Sequence, residues 1–194
     1  YIVAPALASS STVTLEPGTF TETASYVIWT DGTTIYAKNG QTGEVEFSGT
    51  DAATVIQNVL NALPNKISNR EEGGRILFKQ GTYVITKTIY IPWSPDGLSD
   101  LILEGENFAI LKLGDNVNAN MFEYNGTASS IYWLTVKHLW FDGNKDNNVA
   151  GSIFYFNTEL KDCLFFDCFF YGAPEYIIYI PNAWNARILS CTFE

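Results

Sequence analysis

Leu139-Trp140-Phe141-Asp142 shares its pattern with four other tetrapeptides, Ile76-Leu77-Phe78-Lys79, Leu101-Ile102-Leu103-Glu104, Cys168-Phe169-Phe170-Tyr171 and Cys191-Thr192-Phe193-Glu194. In each, the first and third residues are apolar. Alternate side chains of a strand share a face, so these two point the same way. Glycine follows shortly in four of the five, at Gly81, Gly105, Gly143 and Gly172. The segments start 25, 38, 29 and 23 residues apart, within or near the interval that marks a stacked solenoid. A unit of that length holds three short strands with their turns, and stacking sets equivalent residues about 4.8 Å apart. The expected inward ladders are Ile76-Leu101-Leu139-Cys168-Cys191 and Phe78-Leu103-Phe141-Phe170-Phe193. The fold expectation is an all-β parallel β-helix.

Composition narrows the function classes. The chain has 194 residues, 46% of them hydrophobic and 16% charged, which is the composition of a chain that folds around a core. Its net charge is −10, and its lysines and arginines form no cluster. Nucleic acid is therefore not an expected partner, because phosphate binding needs a positive footprint. No apolar run reaches the length of a membrane span. The three cysteines, Cys163, Cys168 and Cys191, fall in the rungs and read as stacked core thiols. With one histidine, His138, the usual zinc ligand set is absent.

Residues 1–47 read as a strand-rich leader. It holds Thr12-Val13-Thr14-Leu15, a Pro17-Gly18 turn, and a three-stranded meander through Tyr26–Trp29, Thr33–Tyr36 and Glu44–Phe47, with hairpin signals at Asp31-Gly32 and Asn39-Gly40. Its opening run, Tyr1–Ala8, reads as a packed strand or as the tail of a signal peptide ending at Ala6-Leu7-Ala8. From Asp51 the apolar period changes to Ala52, Val55, Ile56, Val59, Leu60 and Leu63, a helix over 51–63 with Thr50 or Asp51 as N-cap and Pro64 as its stop. That helix is expected to cap the first coil of a β-helix over 48–194. The opening strand of a fifth coil ends at Glu194, so the expectation is a longer helix or a neighbouring chain over that end. Asn125-Gly126-Thr127 is a glycosylation sequon, and with an acidic, hydroxyl-rich surface it makes the exterior of the cell, or a cell or virion surface, the expected location.

The stretch from Asp51 to Ile91 resembles the start of pectin-lyase-fold proteins, the superfamily of pectate lyases, polygalacturonases and many tail-spike proteins. The resemblance is carried by Thr50-Asp51-Ala52-Ala53-Thr54-Val55-Ile56-Gln57, Gly73-Gly74-Arg75-Ile76-Leu77-Phe78 and Gly81-Thr82-Tyr83-Val84-Ile85. Leu103-Glu104-Gly105-Glu106-Asn107 and Phe141-Asp142-Gly143-Asn144 look like that family's turn sequences. It implies a right-handed parallel β-helix over roughly residues 50–194, and says little of chemistry, since one fold hosts many activities. The family's Gly-His-Gly and Arg-Ile-Lys hydrolase strings do not occur, and the arginines are only Arg70, Arg75 and Arg187. No catalytic residue carries over.

The assumed register makes its own site proposals. Outward residues would stack as Leu77-Ile102-Trp140-Phe169-Thr192 and Lys79-Glu104-Asp142-Tyr171-Glu194. Glu104 and Asp142 then become carboxylates on adjacent coils, close to the ~5–5.5 Å of a retaining glycosidase pair. The alternatives are turn carboxylates bonding backbone amides, or an oxygen-rich stack around a bound Ca²⁺. Trp140, Phe169 and Tyr171 are the expected sugar-stacking residues, although a covering segment or a symmetric trimer interface would also explain the apolar stripe. His138 reads as a surface imidazole, and Asp142, Asn144, Asp146, Asn147 and Asn148 as a solvated loop. Three function classes follow: a surface module that recognises polysaccharide, a structural fibre assembled as trimer or filament, and a polysaccharide lyase or glycoside hydrolase.

Overall fold

The computed structural model describes residues 24–63, 73–91, 100–106, 108–124 and 130–194. The Asn125 sequon, the Tyr1–Ala8 run, the strand at Thr12–Leu15 and the Pro64 stop lie outside them. An antiparallel meander opens the described chain as β1 (Tyr26–Thr30), β2 (Ile35–Asn39) and β3 (Val45–Gly49). The helix α1 (Ala52–Ala62) follows. Asp51 caps it, its carboxylate accepting from the Thr54 amide. Its apolar face, Ala52, Val55, Ile56, Val59 and Leu60, is buried against β2, β3, β5 and β6, the last two being β5 (Gly81–Ile85) and β6 (Ile89–Tyr90) of the first coil. An amphipathic helix gains most of its stability from such a face.

From β4 (Gly74–Phe78) onward the chain passes repeatedly through parallel sheets in one cyclic order. The first pass runs β4, β5, β6. The second adds β7 (Leu101–Gly105), β8 (Ala109–Leu113), β9 (Phe122–Tyr124) and β10 (Ser130–Tyr132). The third is β11 (Thr135–Lys137), β12 (Trp140–Asp142), β13 (Phe154–Phe156) and β14 (Glu159–Lys161). The fourth is β15 (Leu164–Phe166), β16 (Phe169–Tyr171), β17 (Ile178–Tyr179) and β18 (Asn182–Trp184). A fifth begins with β19 (Arg187–Leu189) and β20 (Thr192–Phe193). The first sheet is ordered β19-β15-β11-β7-β4-β1-β2-β3, so the meander continues it through the parallel pairing of β1 with β4. The second is β20-β16-β12-β8-β5, the third β17-β13-β9-β6 and the fourth β10-β14-β18.

The register corrects the expected ladders. Ile76 lies beside Leu103, not Leu101, and Leu103 beside Val136; the first-sheet column continues through Phe165 to Ile188. Phe141 belongs to the second sheet, where the column is Tyr83-Leu111-Phe141-Phe170-Phe193. The expected ladder therefore joined two strands of one sheet to three of another. The cause is a five-residue step. In the later coils a three-residue strand and a two-residue corner separate one side from the next, placing Phe141, Phe170 and Phe193 five residues after Val136, Phe165 and Ile188. An apolar triplet on the second side looks like one on the first. The apparent 38-residue gap is a 33-residue turn of the coil, Leu103 to Val136, plus that step.

The core inside the sheets is mostly aliphatic, with columns of stacked aromatic rings running through it. Phe141 stacks on Phe170 with centroids 5.1 Å apart, Phe170 on Phe193 at 5.1 Å, and Phe122 on Phe154 at 5.1 Å. Cys163 and Cys168 are buried free thiols that donate to backbone carbonyls.

Asn144 and Asn148 are buried too, against the expectation of a solvated loop. The Asn148 amide donates to the Gly114 and Asn144 carbonyls and its oxygen accepts from the Asn118 amide, so it ties the loop of one coil to that of the coil below. A buried amide with its bonds made specifies that stacking.

Candidate functional site

Alternation within three-residue strands decides what faces solvent. With Phe141 and Phe170 inward, Trp140, Asp142, Phe169 and Tyr171 face out. Trp140 and Phe169 are ladder partners with ring centroids 4.9 Å apart, and Ile110 and Thr192 extend their row. Phe108, 59% exposed, meets the Trp140 ring edge-on at 5.1 Å. The neighbouring row is Lys112-Asp142-Tyr171. There Lys112 Nζ lies 2.8 Å from Asp142 Oδ2, the other Asp142 oxygen accepts from the Asn144 amide, and Lys145 Nζ sits 5.7 Å from the Tyr171 ring centre. The structure thus brings Trp140, Phe169 and Tyr171 onto one face.

A hollow of about 440 Å³ borders these rings at the corner between the first and second sheets, with Glu106, Phe108, His138, Trp140 and Asp167 around it. His138 and Asp167 occupy equivalent corner positions of successive coils, both with left-handed backbone, φ 55° and 50°. The partly exposed imidazole lies between two carboxylates, Nδ1 3.9 Å from Glu104 Oε1 and Nε2 3.9 Å from Asp167 Oδ2. Rings that offer an apolar face beside carboxylates and an imidazole can engage a ligand that is apolar on its flat side and hydroxylated at its edge.

Glu104 and Asp142 are not brought together. Glu104 lies in the first sheet, with Leu77 and Lys137 as ladder neighbours, whereas Asp142 lies in the second between Lys112 and Tyr171. The separation expected of a retaining pair rested on the two-sheet ladder and goes with it. The stripe likewise divides, Leu77 and Ile102 in the first sheet and Trp140 and Phe169 in the second.

Glu104 is a structural carboxylate. Nearly buried, it accepts from Arg75 Nε at 2.8 Å and pairs with Lys137 Nζ at 2.9 Å. Burial disfavours its charge, but the hydrogen bonds from Lys137 and Arg75 outweigh burial and hold its pKa below the ordinary 4.5. A folded-state pKa below the unfolded one gives stability that is present above pH 4.5 and lost as pH falls through the folded value. Glu104→Gln is expected to cost about 1–2 kcal/mol at neutral pH, since it removes the charge that Glu104 sets against the partly buried Arg75 and Lys137. Denaturant titrations of both proteins should converge as pH is lowered below that window. An undiminished gap at low pH would contradict the assignment.

Sequence reasoning missed Phe108, Ile110 and the pairing of the His138 and Asp167 corners. The signal was available in Lys161-Asp162-Cys163-Leu164-Phe165-Phe166-Asp167-Cys168-Phe169-Phe170, where Asp-Cys recurs after five residues and marks two successive corners.

With this geometry in view, the comparisons add a fold likeness. The structure is similar to ORF18 of Geobacillus virus E2. The superposition has a TM-score of 0.51 at 16% identity, covers 83% of this chain and spans 43% of the length of the viral one. No family model and no curated protein matches the sequence. At that identity the likeness concerns the fold alone.

Proposed function

We propose that this chain is a right-handed parallel β-helix module of the pectin-lyase type, on an extracellular or virion surface, that recognises polysaccharide through its second sheet. The observation that carries the reading is the solvent-facing cluster of Phe108, Trp140 and Phe169, with Tyr171 in the next row and the Glu106, His138 and Asp167 hollow beside it. Aromatic rings take the C–H face of a sugar ring, and the carboxylates accept from its hydroxyls. The cyclic path through parallel sheets, the capping helix and the fold likeness to the viral protein support the architecture. Binding is favoured over hydrolysis because Glu104 and Asp142 stand on different sheets, each neutralised by lysine or arginine.

Affinity electrophoresis in gels containing neutral and acidic polysaccharides tests this. The native chain is expected to be retarded by at least one of them, and Trp140→Ala to weaken retardation about tenfold or more, as an exposed aromatic anchor would. Its thermal melt should stay close to that of the native chain. Equal retardation of the two proteins, or retardation by no polysaccharide, would sink the reading.

A further inference from the structure

A second hollow of about 440 Å³ lies at the other border of the first sheet, where the fourth sheet turns into it. Its rim is a column of corner residues, Asp100, Trp133, Asp162 and Asn185, one from each of four successive coils. All four have left-handed backbone, with φ between 53° and 61°. The residue after each of the middle two corners, Leu134 and Cys163, is buried, so the corner residue itself stands at the surface. Its floor is the outward row Ile102-Thr135-Leu164-Arg187 of the first sheet. Three steps of about 4.8 Å between the four corners make the groove some 14 Å long, parallel to the stack.

Polar groups of the rim are held in place by one another. Asn185 Nδ2 donates to Asp162 Oδ1 at 2.6 Å, and Arg187 Nε donates to Asn185 Oδ1 at 3.3 Å. Among the described residues, the second Asp162 oxygen and the terminal guanidinium nitrogens have no hydrogen-bond partner, so residues that line the groove hold a spare acceptor and spare donors. Trp133, 38% exposed, supplies a ring beside them.

We infer that this groove is a second binding site, for a neutral, hydroxyl-rich glycan lying along the stack. The floor of Ile102 and Leu164 with the Trp133 ring suits the C–H face of a pyranose. A carboxylate, an amide and a guanidinium within one network suit vicinal hydroxyls, which both donate and accept. Charge decides against a polyanion, because rim and floor together hold two carboxylates, Asp100 and Asp162, to one guanidinium, Arg187, on a chain of net charge −10. The ligand class is shared with the proposed function, but the residues are not. Trp133 and Trp140 lie at opposite borders of the first sheet, so the two faces can be tested apart.

Dextran, mannan, galactan and, as the anionic comparison, polygalacturonate are used in affinity electrophoresis with the whole chain. Trp133→Ala and Asp162→Ala are each expected to weaken retardation by a neutral polysaccharide about tenfold, in the native chain and in the Trp140→Ala background alike. Trp133→Phe, which keeps an aromatic face, should retain most of it, and this separates loss of stacking from loss of fold. If both alanine variants bind as the native chain does while Trp140→Ala abolishes binding, the groove is not a site and the aromatic face stands. Selective retardation by polygalacturonate that Arg187→Ala removes would overturn the neutral class. Retardation by none of the four would overturn both readings.

Discussion

Phe141→Ala is expected to cost about 3–5 kcal/mol of stability, the usual penalty for truncating a buried phenylalanine in a core that cannot close around the gap. Phe141 is 1% exposed and sits at a junction of rings. It stacks on Phe170 at 5.1 Å and meets Phe154 edge-on at 5.1 Å and Phe122 at 6.4 Å. These neighbours come from the coils on either side and from the facing third sheet, so the cavity would loosen several strands at once. Phe193, in the same column but 46% exposed, is the internal comparison. Phe193→Ala should cost only about 1 kcal/mol, since much of its surface already faces water. Urea midpoints for the two variants test the ordering. A Phe141→Ala loss below that of Phe193→Ala would mean that the ring column is not the core.

Gly151→Ala should rank next, at about 3–4 kcal/mol, from two independent costs. Its φ is +107°, a region that side chains rarely adopt, and strain of that kind costs on the order of 1–3 kcal/mol. A Cβ would also stand 2.1 Å from the Ala119 carbonyl oxygen, a backbone atom that cannot rotate away. The clash falls where two coil loops stack, between the bonds from Asn116 N to Asn147 O and from Met121 N to Ser152 O. Gly32 separates the two costs. It has φ +99° in the hairpin between β1 and β2, with nothing within 4 Å of its Cβ position, so Gly32→Ala carries strain alone. Thermal melts should show the Gly151 variant falling well below the Gly32 variant. Equal losses would show that the loop stack yields and that only φ matters.

The candidate faces were legible to different degrees. Trp140, Phe169 and Tyr171 could be placed on one outward face because the argument needed only the alternation inside a strand and the similarity of two neighbouring strands, β12 and β16. The Glu104 and Asp142 pairing failed because it needed the register between strands 38 residues apart, across a coil of irregular length. Phe108 was missed since it lies in no strand and reaches Trp140 only through the turn before β8. The corner groove depends on residues contributed one per coil, at positions 100, 133, 162 and 185, and no local pattern names all four.

What the sequence determined by itself was local. The helix, its Asp51 cap, the meander hairpins and the inward or outward sense of residues in the strands all follow from periodicity and turn chemistry, which act over a few residues. Which strand lies on which was decided only by the tertiary structure. With the first and second sides only five residues apart in the later coils, and coils of 23 to 33 residues, several stackings bury apolar triplets equally well. Ring stacking across coils, the buried Asn144 and Asn148 amides and the Glu104 ion pairs choose among them, and each needs two coils present before it has a partner.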